Sequence, residues 1–236
     1  MGKNSPIWRQ IAQIAAGQHG NVTTGQLLAL GVGKDAIRYQ VKTGRLHRVH
    51  RGVYAVGRPP VAPLERAMAA VLACGPRAAL SHGSALTLWG FWKRWDEPFE
   101  VTVAIDRRPS GIRTYRSSAL LRRDVVVHQA TTVTNPARTL LDMAPRLRPR
   151  SLTRYVNDGR RARLLTLEDL ADVAARCPSH PGAPILKVHS ASRHNPTRSG
   201  FEDSFLPFCE RYHLPTPEIN TNLFGYEVDA YFRWRR

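Results

Sequence analysis

Apolar residues first recur at helical spacing in "IWRQIAQIAAGQ", where Ile7, Ile11, Ile14 and Ala15 stand three or four apart. That spacing returns to one face of a helix and predicts an amphipathic helix over 7–18. "NVTTGQLLALG" follows, with Thr23 and Thr24 as candidate caps and Gly31 as a stop, a short second helix. "GKDAIRYQVKTG" predicts a third, bounded by Gly33 and Gly44, with Ile37 and Val41 inward and Ala36 and Gln40 beside them. Two short runs, "LHRV" and "GVYAV", then flank Arg51-Gly52, a hairpin signal. Leu46 and Val49 stand three apart, against strict alternation, so either a bulge or a strand beginning only at Arg48 is expected.

"GRPPVAP" (57–63) carries three prolines and closes this first segment, residues 1–58. A middle segment, 64–176, reads as an α+β module. "LERAMAAVLAC" is a helix stopped by Gly75-Pro76, and "ALSHGSALTLWGF" a helix capped by Ser81 or Ser84. "FEVTVAI", "IRTYRS" and "VVVHQATTVT" supply strands, and "NPARTLLDMA" a helix with Asn135 as cap and Pro136 at its first position. Helices near 151–160 and 166–175 complete the module, the second opened by Thr166. Residues 177–196 are rich in Pro, Ser and Gly and read as a linker, with a short element at 185–188. The last segment is 197–236.

Composition sets limits. An apolar fraction of 42% is enough for a buried core. No run approaches the ~18 apolar residues of a membrane span, and "MGKNSPIWRQ" does not read as a signal peptide. Cys74, Cys177 and Cys209 are far apart and form no CxxC pair, as expected of reduced thiols in a cytoplasmic protein.

Charge changes the picture more. The net is +17, which points to a polyanionic partner. Residues 1–60 hold nine Lys and Arg against one acid, Asp35; 61–190 hold twenty against eleven; 191–236 hold six against six. On the third helix Lys34, Arg38 and Lys42 form a ridge at i, i+4, i+8, with Tyr39 adjacent. Like charges at that spacing repel by ~0.2–0.5 kcal/mol per pair, a cost that a groove lined with phosphates would reverse. Three helices and a basic hairpin are the order of a winged helix-turn-helix, whose third helix enters the major groove while the wing grips the backbone. This reading assigns Arg38, Tyr39 and Lys42 to the groove, Lys34 to the start of that helix, and Arg45, Arg48 and Arg51 to phosphates. Ser81-His82-Gly83-Ser84 suggests nucleophilic chemistry, but neighbours on one helix are not expected to face each other, which leaves capping and packing. His47 and His50 have no third metal ligand in view.

The stretch "VTTGQLLALGVGKDAIRYQVKTGRLHRVHRGVYAVG" resembles the N-terminal domain of AbiEi-family antitoxins of type IV toxin–antitoxin systems. "ALSHGSALTLWG" and "TVTNPARTLLDMA" are similar to what commonly follows that domain. The resemblance implies a DNA-binding, autorepressing regulator, with double-stranded DNA and a cognate toxin as partners. It implies no cofactor and no catalytic role, and leaves the oligomeric state open.

"TRSGFEDSFLPFCERYHLPTPEINTNLFGYEVDAYFRWRR" resembles the start of the endonuclease-like domain of very-short-patch-repair enzymes. Glu202, Glu227, Val228 and Asp229 occupy matching positions, which would make Asp229 a metal-binding carboxylate and Glu202 its helper. A second carboxylate element is missing from this chain, so the segment reads as an incomplete restriction-endonuclease-like unit. Gly200 and Pro207 are unfavourable in its helix. The alternative function is a remnant or split nuclease that needs a complementing C-terminal fragment.

Overall fold

The computed structural model describes residues 6–191 and 200–233. It begins with α1 (Pro6–Ala16), β1 (Asn21–Thr23), α2 (Thr24–Ala29), α3 (Lys34–Lys42), β2 (Leu46–His50) and β3 (Val53–Val56). The helical spacing in the sequence becomes a small core of Ile11, Ala15, Val22, Leu27, Val32, Ile37 and Leu46. Beneath the helices lies a three-stranded antiparallel sheet in the order β1-β3-β2. The register slips between Arg48 and His50, so the irregularity at Val49 is a bulge and the strand already starts at Leu46.

α4 (Pro63–Cys74) follows the proline-rich joint. Glu65 fastens that joint: its carboxylate accepts from Arg58 and from the backbone N–H of Val61 and Ala62. The Arg58 bond leads in holding the Glu65 carboxyl down at about 2. Next come β4 (Ala79–Leu80), α5 (His82–Leu88), β5 (Phe99–Val103), β6 (Ile112–Arg116), β7 (Val125–His128) and β8 (Thr131–Thr134). They form a mixed five-stranded sheet in the order β6-β5-β4-β8-β7. Pairs β5–β6 and β4–β8 are parallel, and β4–β5 and β7–β8 antiparallel. α4 and α5 close over the sheet through Ala67, Val71, Leu80, Ala85, Val101 and Val133.

α6 (Pro136–Met143), α7 (Pro149–Arg161), α8 (Leu167–Arg176) and α9 (Gly182–Ala191) build a second core with Leu86 of α5. Asn135 caps α6 by accepting from the Arg138 N–H, and Thr166 caps α8 by accepting from Asp169. α9 corrects the sequence reading of 177–196 as a linker. Pro184 falls in its first turn, where backbone N–H groups have no helical acceptor, so proline costs little there. Ala183 and Leu186 are buried against the bundle.

α10 (Gly200–Arg211), β9 (Glu218–Leu223) and β10 (Tyr226–Tyr231) end the described chain. The helix keeps Pro207 inside it, against the sequence expectation. β9 and β10 pair antiparallel across a two-residue turn, Phe224-Gly225, both at positive φ, the conformation hairpin turns favour.

Besides the Arg58–Glu65 pair, two side-chain contacts among the described residues tie the first unit to the middle one. The Asn21 side chain, fully buried, donates to the Glu65 carbonyl at 2.9 Å, and the His19 ring meets the Gln129 carbonyl at 2.6 Å. α4 packs on the strands of both sheets.

Candidate nucleic-acid interface

Cap chemistry fixes α2 and α3, the second of which presents the cationic residues. Thr23 accepts from the Gln26 N–H at 3.2 Å while the Gln26 amide oxygen accepts from the Thr23 N–H at 2.8 Å, a reciprocal box that starts α2. Four residues after the end of α2, Gly33 starts α3, and Thr43 ends it by donating to the Tyr39 carbonyl at 3.1 Å. The hairpin turn is bound to the same helix pair, because the Thr24 N–H donates to the Gly52 carbonyl at 2.8 Å. Gly52 sits at φ +79, where a side chain would be strained. The turn is therefore tied to the start of α2.

Helix geometry then decides what α3 shows to solvent. Residues advance about 100° each, so Gln40 and Ala36 continue the arc on one side of Ile37, while Val41 lies about 40° to its other side. The buried residues are Ile37 and Gln40, with Ala36 partly covered; Val41 is exposed, correcting its inward assignment. Diametrically opposite lie Arg38 and Lys42, flanked by Lys34, Asp35 and Tyr39. All five are exposed, and Tyr39, at 60%, is far from covered. Arg38 pairs with Asp35 one turn back, but both side chains are open to water, where such a pair contributes little.

The remaining predicted contacts divide. Arg45 is half-buried, its guanidinium 5.8 Å from the centroid of the Trp8 ring on α1, within cation–π range. Arg48 and Arg51 are exposed and line a cleft of about 1030 Å³ with Val49, His50, Gly52 and Ala73. Its other wall is the loop of Arg107, Arg108, Pro109 and Ser110, which sequence reading had not connected to the hairpin. The signal was present as two adjacent arginines after a strand, but only the fold brings them there. His47 meets the Gly57 carbonyl at 3.3 Å, and burial lowers the pKa of His50 below the usual histidine value. Among the described residues no group of three or more His, Cys, Asp and Glu side chains could hold a metal ion.

Ser81 and His82, expected not to face each other, do meet: Ser81 Oγ lies 2.9 Å from His82 Nδ1. His82 has φ +51, a strained value that folds its ring back toward the preceding residue. The ring stacks on Tyr115 at 3.7 Å between centroids, and burial pushes its pKa down to about 4. Beside it Glu100 accepts from the Gly83 N–H, the Tyr115 hydroxyl and Arg146, all within 2.8 Å. Ser81 is fully buried, and the stack of His82 on Tyr115 braces the start of α5 against the sheet. Glu202 and Asp229 belong to α10 and β10, as Glu227 does to β10, but their side chains lie outside the described residues.

Comparison with known proteins bears on the same region. A family model described as "Transcriptional regulator, AbiEi antitoxin" matches residues 9–57. That span runs from α1 to the end of β3 and contains every residue of the ridge and the hairpin. The match leaves the likeness of residues 197–236 to an endonuclease without support. No curated protein matches the chain. Among the described residues no helix is long and apolar enough to cross a membrane.

Proposed function

We propose that this protein is a sequence-specific, double-stranded DNA-binding transcriptional regulator of the antitoxin type that represses its own promoter. Residues 9–57 act as a winged helix-turn-helix. α3 lies in the major groove with Arg38 and Lys42 toward base edges, Tyr39 at the flank and Lys34 beside the first phosphate. Arg48 and Arg51 of the hairpin neutralise the adjoining backbone. Arg45, stacked on Trp8, orients that hairpin against α1 and contributes charge rather than a base contact.

One observation carries the reading: the side of α3 facing away from its core presents three cations and a tyrosine against a single exposed acid. A solvated helix face would intersperse acids to relieve that repulsion. Within this proposal the family match supplies the regulator and antitoxin class, and implies a toxin partner whose chemistry the chain does not specify.

The test is selection of duplexes from a random pool by the purified full chain, followed by a reporter driven by its own upstream region. Enrichment of one motif, present in that region and repressed in the reporter, is the expected result. Recovery of unrelated sequences with equal affinity would reject sequence-specific control.

A further inference from the structure

The cleft beside the hairpin joins two segments more than fifty residues apart. Arg48 and Arg51 come from the β2–β3 hairpin, and Arg107 and Arg108 from the β5–β6 loop. No acid lines it. Arg108 bonds Asp106 at 3.1 Å with both side chains largely exposed, a pair that leaves most of the guanidinium available. Arg48, Arg51 and Arg107 have no acidic partner among the described residues.

Arg107 is also held in place. It lies across Gly75 at the end of α4, where an added Cβ would sit 2.9 Å from its Nη1. The missing side chain leaves room for the guanidinium, and the negative end of the α4 dipole favours a cation there. The loop is thus anchored on the helix that also packs against β1, β2 and β3. Four guanidinium groups around one opening repel each other unless an anion enters. Each is a planar fork suited to phosphate oxygens.

We propose that this cleft seats a phosphodiester strand flanking the site read by α3, with Arg107 and Arg108 forming its outer wall. The duplex footprint then extends past the winged unit onto the middle unit. The inference rests on the DNA-binding reading, since the hairpin supplies half of the cleft.

The experiment measures binding of the full chain to a random-sequence duplex across a salt series. Arg107→Ala/Arg108→Ala should make the plot of log affinity against log salt shallower by about 1.8, two phosphate contacts at about 0.9 each. Arg148→Ala/Arg150→Ala removes the same charge from the start of α7, outside the cleft, and should leave the slope at the wild-type value. Arg107→Lys/Arg108→Lys keeps the charge and should restore most of the slope, which separates lost phosphate contacts from a weakened α4 terminus. An unchanged slope in the alanine pair, with wild-type binding normal and Arg48→Ala impaired, overturns the cleft alone. An equal fall in the Arg148/Arg150 control also overturns it, because net charge would then be the cause. Wild-type protein that shows no salt-dependent duplex binding overturns the cleft and the regulator reading together.

Discussion

The first sixty residues and the middle unit are both rich in arginine, yet they use it oppositely. In the middle unit several arginines are paired internally. Arg176 donates to both oxygens of Asp124, itself fully buried, and also to Asp172. Arg138 and Asp142 form a buried pair at 2.9 Å, and Arg146 and Arg113 converge on Glu100. On α3 the Arg38–Asp35 pair is open to water on both sides, and Arg48 and Arg51 have no acidic partner among the described residues. Charge count alone would therefore mislead. What distinguishes an interface is positive charge that the fold gathers and leaves exposed, and Arg107 and Arg108, beside the hairpin, are one place where the middle unit behaves like the first.

Substitutions can break or sharpen that contrast. The largest effect should come from Arg176→Ala. It strands the buried Asp124 carboxylate, a loss of ~3–5 kcal/mol, and should lower the thermal midpoint by roughly 10 °C. Duplex binding measured well below the transition should persist. A midpoint shift of only a degree or two would place Arg176 among ordinary surface charges and erase the contrast.

Acid should expose the same internal use of charge. His82 is neutral in the folded protein, with its pKa lowered by burial to about 4, whereas the unfolded chain protonates it near the ordinary histidine value of 6.5. Between those values the unfolded state binds more protons, so stability is full above pH 6.5 and is lost as pH falls toward 4. The loss is about 3 kcal/mol at 1.36 kcal/mol per pKa unit. Asp142, whose carboxyl burial raises to about 6, acts in the opposite direction in this range, so the wild-type profile is their sum. Comparison with His82→Asn isolates the histidine: between pH 7 and pH 5 the wild-type urea midpoint should fall relative to that of the variant, which keeps only the opposing Asp142 contribution. Equal separations in both proteins would mean that the ring is not held neutral.

Effects on DNA should be smaller in energy and different in kind. Arg38→Ala should reduce discrimination between preferred and random duplex by ~1–3 kcal/mol, measured as the ratio of the two affinities. Arg48→Ala should weaken both duplexes alike and flatten the salt slope by about 0.9.

Much of this architecture was legible from side-chain spacing and end signals. Thr23, Asn135 and Thr166 mark helix starts because a short oxygen-bearing side chain satisfies a free N–H, and that chemistry is local. Val41 was misplaced because alternating three- and four-residue spacing defines an arc, and a polar residue, Gln40, holds the deeper end of it. The α9 helix was hidden by its prolines, whose meaning depends on which turn they occupy. Ser81 and His82 meet only through a positive φ that a histidine gives no hint of adopting. The candidate interface was half visible: the ridge on α3 follows from sequence periodicity. The partnership of Arg48 and Arg51 with Arg107 and Arg108 depends on long-range packing of a loop against a hairpin, which no local pattern encodes.

The central claim is that α3 and the hairpin touch one duplex in different roles. Its most direct test is a matched pair of titrations, Arg38→Ala and Arg48→Ala, each against the selected duplex and a scrambled one. The account predicts that the first variant loses its preference for the selected sequence while keeping affinity for the scrambled one, and that the second keeps its preference while losing affinity for both. Identical losses in the two variants would contradict it.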